Sequence, residues 1–143
     1  YRRETLIDLI DKHIDSKSVL TLLTASPKNF ASLGRIVRYE GIVEIIEKEY
    51  LTEEQKQITE ISTGTFVFDK QWFLKIFSTM PPMRKLGEFG LPTALAVARE
   101  NKEKYQVIKL ENSEEWFGIN TPEELEEADR QKSKEHKNKK TSE

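Results

Sequence analysis

Hydrophobic positions along the chain switch between helical and strand periods. Over Glu4 to Ile14, Leu6, Ile7, Ile10 and Ile14 recur at helical spacing with Asp8, Asp11 and Lys12 between them, which predicts a first helix ended by Asp15-Ser16. Ser18 to Ala25 is a β-rich run with apolar residues on both faces, the pattern of a central strand covered by helices on each side. Ser26-Pro27-Lys28-Asn29 breaks that strand, and a loop follows to Leu33. Gly34 to Val37 and Ile42 to Ile46 flank Tyr39-Glu40-Gly41, so a hairpin is expected. Thr52 and Gln55 have the spacing of a capping box and open a short helix. Ile58 to Phe68 is the next β region, and Gly64 inside it marks a place where another backbone or a ligand can approach.

Asp69 to Met80 places Trp72, Phe73, Ile76 and Phe77 on one helical face, with Asp69 as N-cap, and Pro81-Pro82 forbids continuation. A further helix is predicted over Thr93 to Asn101 and a strand over Tyr105 to Leu110. The last helix has the sharpest local signature, with Thr121 as N-cap, Pro122 at the first helical position and Glu124 completing a capping box. Strands alternating with helices predict an α/β fold with a mostly parallel sheet and an inserted β-hairpin.

Composition narrows the chemistry. At 143 residues one domain is expected, and with no Cys there is no disulfide framework, thiolate metal site or cysteine nucleophile. No apolar run reaches the length of a membrane span, so a soluble, cytoplasmic protein without a membrane partner is expected. The net charge of -2 hides an asymmetry: residues 130 to 143 carry six basic and two acidic side chains, and the body is acidic. With no apolar anchor, this basic segment is expected to be disordered, which leaves residues 1 to 129 as the folded body. Nucleic-acid binding through Lys132 to Lys140 is the weakest of the functional readings.

Histidines stand only at positions 13 and 136, too far apart in kind and place for a His-based triad or metal site. No GxGxxG or Walker A sequence is present. No residue is therefore assigned a direct catalytic role. What remains are polar residues where strands end, the region in which open α/β sheets bind ligands. Gly34 allows close backbone approach, Glu47 ends a β run, Ser62 lies beside Gly64, and Asn120 precedes a helix N-terminus. Each also has a bland reading as a strand-entry glycine, a surface charge, simple alternation or part of a cap.

Taken in order, these places resemble the sugar-1-phosphate nucleotidyltransferases, most closely the uridylyltransferase domain of N-acetylglucosamine-1-phosphate uridylyltransferases. The family's G-R-I-x-R is matched by Gly34-Arg35-Ile36-Val37-Arg38, its I-V-E-x-K-D by Ile45-Ile46-Glu47-Lys48-Glu49, and its E-I-N-T-G by Glu60-Ile61-Ser62-Thr63-Gly64. Its G-E-Y-Y-x-T-D is matched by Gly87-Glu88-Phe89-Gly90-Leu91-Pro92-Thr93 and its G-V-N by Gly118-Ile119-Asn120.

The resemblance implies a GT-A-like, Rossmann-type nucleotidyltransferase fold of which this chain is the C-terminal, sugar-phosphate half, read also from a start at Tyr1 rather than Met. The missing N-terminal half would be its partner, along with a sugar 1-phosphate and a nucleoside triphosphate. It further implies that Gly34, Glu47, Ser62 and Glu88 lie at the sugar, and that Asn120 is a ligand of Mg²⁺. Nucleoside monophosphate transfer, with UTP and N-acetylglucosamine 1-phosphate as substrates, is the implied reaction. Ser62 in place of Asn, Gly90 in place of Tyr, and Pro92-Thr93 in place of Thr-Asp leave open a noncatalytic sugar-phosphate-binding or regulatory paralogue. As half a domain, the chain is expected to expose apolar surface at a broken sheet edge.

Overall fold

The fold is described from a computed structural model, which covers residues 1–31, 33–81, 90–119 and 121–140, with the side chains of residues 131 and 134–140 left aside. Helix α1 spans Arg3–Ser16, and strand β1 spans Leu20–Ala25. β1 is the centre of a three-stranded sheet, flanked by β4 (Ile61–Phe68) and β5 (Tyr105–Lys109). Its β5 partner is parallel and its β4 partner antiparallel, so the described sheet is mixed where mostly parallel pairing was expected. The physical reason is the return path. β4 follows the hairpin and runs back along β1, and α2 (Lys70–Phe77) and α3 (Leu91–Glu100) then carry the chain across to the parallel β5.

All six residues of β1 are buried, as its two-faced apolar pattern predicts. Leu20 and Leu22 pack with Trp72, Ile76, Leu95 and Ala98 of α2 and α3. On the opposite face, Leu23 and Ala25 meet Leu9 of α1 and Leu110. The stripe of α1 that packs is not the one expected. Leu9 and His13 are buried, whereas Leu6, Ile7, Ile10 and Ile14 are exposed. His13 fits because its Nδ1 pairs with the Thr21 hydroxyl at 2.8 Å, and burial holds its pKa below the ordinary value against the opposing charge of Asp69. The exposed apolar side chains include those of α1 together with Leu74 and Phe77 on α2, while Phe66, Val67 and Phe68 of the edge strand β4 are half-buried.

The hairpin β2 (Arg35–Tyr39) and β3 (Ile42–Ile46) forms a separate two-stranded sheet. Glu40 and Gly41 both have positive φ, 47° and 79°, the backbone signature of a type I′ turn. Ile36 and Val43 insert this hairpin into the core beside α3. The Thr52–Gln55 capping box forms reciprocally, with N···O distances of 3.0 and 3.2 Å, but opens a 3₁₀ turn at Gln55–Gln57 rather than an α-helix. Asp69 caps α2 by accepting from the Trp72 N–H at 2.7 Å.

Helix α4 spans Pro122–Lys140. Its capping box forms as expected, Thr121 and Glu124 bonding each other's backbone N–H at 3.1 and 3.2 Å. The segment from residue 130, expected to be disordered, continues this helix to Lys140. It contains neither Gly nor Pro, and its Lys, Glu and Gln residues are good helix formers, so a nucleated helix propagates through it without needing a core.

Candidate functional site

The hairpin, β4 and the start of α3 enclose a cavity of about 380 Å³. Gly34, Glu47 and Ser62 all line it, together with Gly64 and the apolar side chains of Leu33, Ile45, Phe66, Leu91 and Pro92. Three residues singled out in three separate sequence segments thus share one space. Glu88 and Asn120 lie outside the described residues.

Gly34 and Glu47 are adjacent because they prolong the two hairpin strands, whose last pair is Arg35 with Ile46. The approach is tight enough to demand glycine. A Cβ on residue 34 would stand 2.9 Å from the Ile46 carbonyl oxygen and 3.2 Å from Glu47 Oε2. The Glu47 carbonyl accepts from the Tyr50 N–H at 2.9 Å, which ties down its backbone. Its half-buried carboxylate has no hydrogen-bond partner among the described residues. Burial first, and the charge of Glu49 second, push its pKa above the ordinary carboxylate value.

Ser62 arrives through a break in the β1–β4 register. Leu23 pairs with Thr65 but Thr24 pairs with Ser62, so Thr63 and Gly64 are extra residues in β4. Gly64 has φ of 73°, in the region that favours glycine. The bulge is held by the Thr63 hydroxyl, which donates to the Leu23 carbonyl at 2.7 Å, and by Trp116 Nε1, which donates to the Thr63 carbonyl at 3.2 Å. The Ser62 hydroxyl accepts from the Gly64 N–H at 3.3 Å. Gly64, first read as a sign of close approach, is here the hinge of that bulge.

Next to the cavity, Glu60 is spent on structure. It accepts from Arg38 at 3.2 and 2.8 Å and from the buried Thr24 hydroxyl at 2.6 Å, linking β2, β4 and β1. Burial alone would raise its pKa, but the hydrogen bonds and charge of Arg38 outweigh it and leave the value lowered.

Two features escaped the sequence reading. Arg35 is buried, although an arginine in a hairpin reads as exposed, and hydropathy carries no signal that could have found it. The apolar wall of Phe66, Leu91 and Pro92 was also missed, because α3 begins at Leu91 rather than Thr93 and so brings Leu91 and Pro92 to the rim. A larger open cleft of about 1430 Å³ lies at the carboxyl ends of β1 and β5, with Ser26, Lys28, Glu111, Trp116 and Gly118 among its lining residues. No group of three His, Asp or Glu side chains suited to a metal is present among the described residues. Nor, among them, is any helix long and apolar enough to cross a membrane.

No family model matches the chain. Curated relatives do. The chain is 36% identical over 119 residues to the "Bifunctional protein GlmU" of Streptococcus thermophilus, strain CNRZ 1066, a match that covers 82% of this chain and 26% of that protein. Proteins of the same name from Streptococcus pyogenes serotype M49 and Streptococcus sanguinis are each 35% identical over 119 residues, with the same coverage. Together with the mixed α/β architecture, this homology supports a nucleotidyltransferase fold for the chain. Within that class its relatives are the bifunctional GlmU proteins, of whose length it spans about a quarter.

Proposed function

We propose that this chain is the sugar-phosphate side of a cytoplasmic nucleotidyltransferase that moves a nucleoside monophosphate, UMP from UTP, onto a sugar 1-phosphate such as N-acetylglucosamine 1-phosphate. The observation that carries this reading is the convergence of Gly34, Glu47 and Ser62 on one cavity, with the Glu47 carboxylate left without a hydrogen-bond partner among the described residues. The Glu47 carboxylate accepts from sugar hydroxyls, the Gly34 N–H donates to the sugar, and the Ser62 hydroxyl offers a shorter contact than the amide it replaces. Glu88 approaches the same sugar. The attacking phosphate oxygen is already anionic, so positioning supplies much of the rate, which suits a site without histidine. Attack on the α-phosphorus forms the new P–O bond and expels pyrophosphate.

Mg²⁺ is proposed as the cofactor, with Asn120 giving one oxygen. The described residues offer no acidic cluster to complete its shell, so they do not by themselves fit the ion. The nucleotide site belongs to the partner half of the domain. Titration of the chain with N-acetylglucosamine 1-phosphate, followed by amide NMR, should move signals around Gly34, Glu47 and Ser62. Pyrophosphate release from UTP should be absent with this chain alone and should return when the nucleotide-binding half is supplied. Robust release by the chain alone would overturn the half-domain reading.

A second reading is a noncatalytic sugar-phosphate-binding paralogue. Its support is Pro92 on the cavity wall where the family pattern has Thr, and the engagement of Ser62 with Gly64. Sugar-phosphate binding without pyrophosphate release in the reconstituted domain would establish it.

A further inference from the structure

Arg35 is 2% exposed, yet among the described residues it pairs with no carboxylate. One guanidinium nitrogen donates to the Phe30 carbonyl at 2.8 Å and also to the Leu33 carbonyl. The guanidinium lies over the Phe30 ring, 4.9 Å from its centroid, and the buried Nε has no acceptor among the described residues. A cation buried against carbonyls and one ring is costly to desolvate, so what it restrains matters. The Phe30 carbonyl also accepts from the Leu33 N–H at 3.0 Å, which ties the two carbonyl-bearing residues together.

No peptide bond described is cis, so the Leu33–Gly34 unit is planar and trans, with its C=O and N–H pointing in opposite directions. Whatever fixes the Leu33 carbonyl therefore fixes the Gly34 N–H. We propose that Arg35 is a positioning residue for the cavity: by holding the Leu33 carbonyl on the buried side, it turns the Gly34 N–H toward the space that Leu33, Gly34 and Glu47 line. The donor and the Glu47 carboxylate then face one ligand without having to rotate when it binds, which lowers the ordering cost of binding. Leu33 also lines the larger cleft, so the same restraint sets the wall between the two spaces. The ligand part of this inference rests on the sugar-phosphate reading above. The peptide orientation does not.

The test uses the full chain with Arg35→Met and Arg35→Lys, the lysine variant keeping charge and burial should the methionine variant fold poorly. In the free protein, loss of the hydrogen bond to the Leu33 carbonyl should displace the Gly34 amide nitrogen resonance and introduce slow exchange at that amide, strongly in R35M and partly in R35K. An unchanged, exchange-free Gly34 signal in the variants would overturn the proposal. Titration with N-acetylglucosamine 1-phosphate should then show roughly tenfold weaker binding in R35M, the worth of about one hydrogen bond, with the response at Glu47 retained. Equal affinity in wild type and R35M would also overturn it. If the Gly34 signature changes but wild type binds no sugar phosphate, the sugar-phosphate reading fails while the peptide restraint stands.

Discussion

Glu47 and Glu60 are both half-buried carboxylates beside the same hairpin, and their surroundings treat them in opposite ways. Glu60 is surrounded by donors from Arg38 and Thr24, and its pKa is lowered. Glu47 meets no donor among the described residues, lies next to a second carboxylate, and has its pKa raised. One ties three strands together. The other is held in an unfavourable state that a ligand with hydroxyl donors would relieve. Partnership, rather than burial, separates a structural carboxylate from one available for binding.

That contrast can be broken by substitution. Replacing Glu60 with Ala should have the largest effect on stability, about 2 kcal/mol in urea denaturation, because it leaves the buried Thr24 hydroxyl only a long 3.4 Å bond to the Ile108 carbonyl and unpairs the partly exposed Arg38 guanidinium. Equal stability of the variant would deny Glu60 its structural role. Gly34→Ala should follow, with a loss of roughly 1–3 kcal/mol from the clash with the Ile46 carbonyl, since a backbone atom cannot move aside as a side chain can. It should also disturb the position of Glu47.

Glu47→Gln should reverse the sign. At neutral pH the ionised carboxylate lowers stability because its folded pKa lies above its unfolded one, and the penalty fades as pH falls through the folded value. The variant should therefore match or slightly exceed wild type at pH 7, with the difference closing as pH falls through the folded and then the unfolded carboxylate value, while sugar-phosphate affinity falls roughly tenfold. For Glu60 the linkage is opposite. Its folded pKa is lowered, so its contribution is complete above the unfolded carboxylate value and is lost as pH falls through the folded one. Thermal unfolding of Glu47→Gln and Glu60→Gln across pH 3 to 7 would sharpen the comparison, and parallel profiles would end it. The smallest effect is expected for Thr121→Ala, about 1 kcal/mol or less from the lost cap, with no change at the cavity.

Much of the fold was legible because it depends on local rules. The buried β1, the hairpin with its Glu40-Gly41 turn, the Asp69 cap and both capping boxes follow from side chains acting within a few residues of themselves. Gly34, Glu47 and Ser62 were singled out through their place in motifs, and the structure lines one cavity with them. The packed face of α1 was not, since Leu9 and the opposing isoleucines all satisfy one helical period and only contact with β1 selects among them. The continuation of α4 past residue 130 was not legible, because a lack of apolar anchors argues against a core, not against a helix.

The order of elements, their caps and the residue types available at the strand ends were determined by the sequence alone, because each is set by short-range backbone chemistry. Which carboxylate is partnered, which arginine is buried and which three polar residues share a cavity were decided by the tertiary structure. Those properties depend on what other segments bring within a few ångströms, and desolvation and hydrogen bonding act only across such distances.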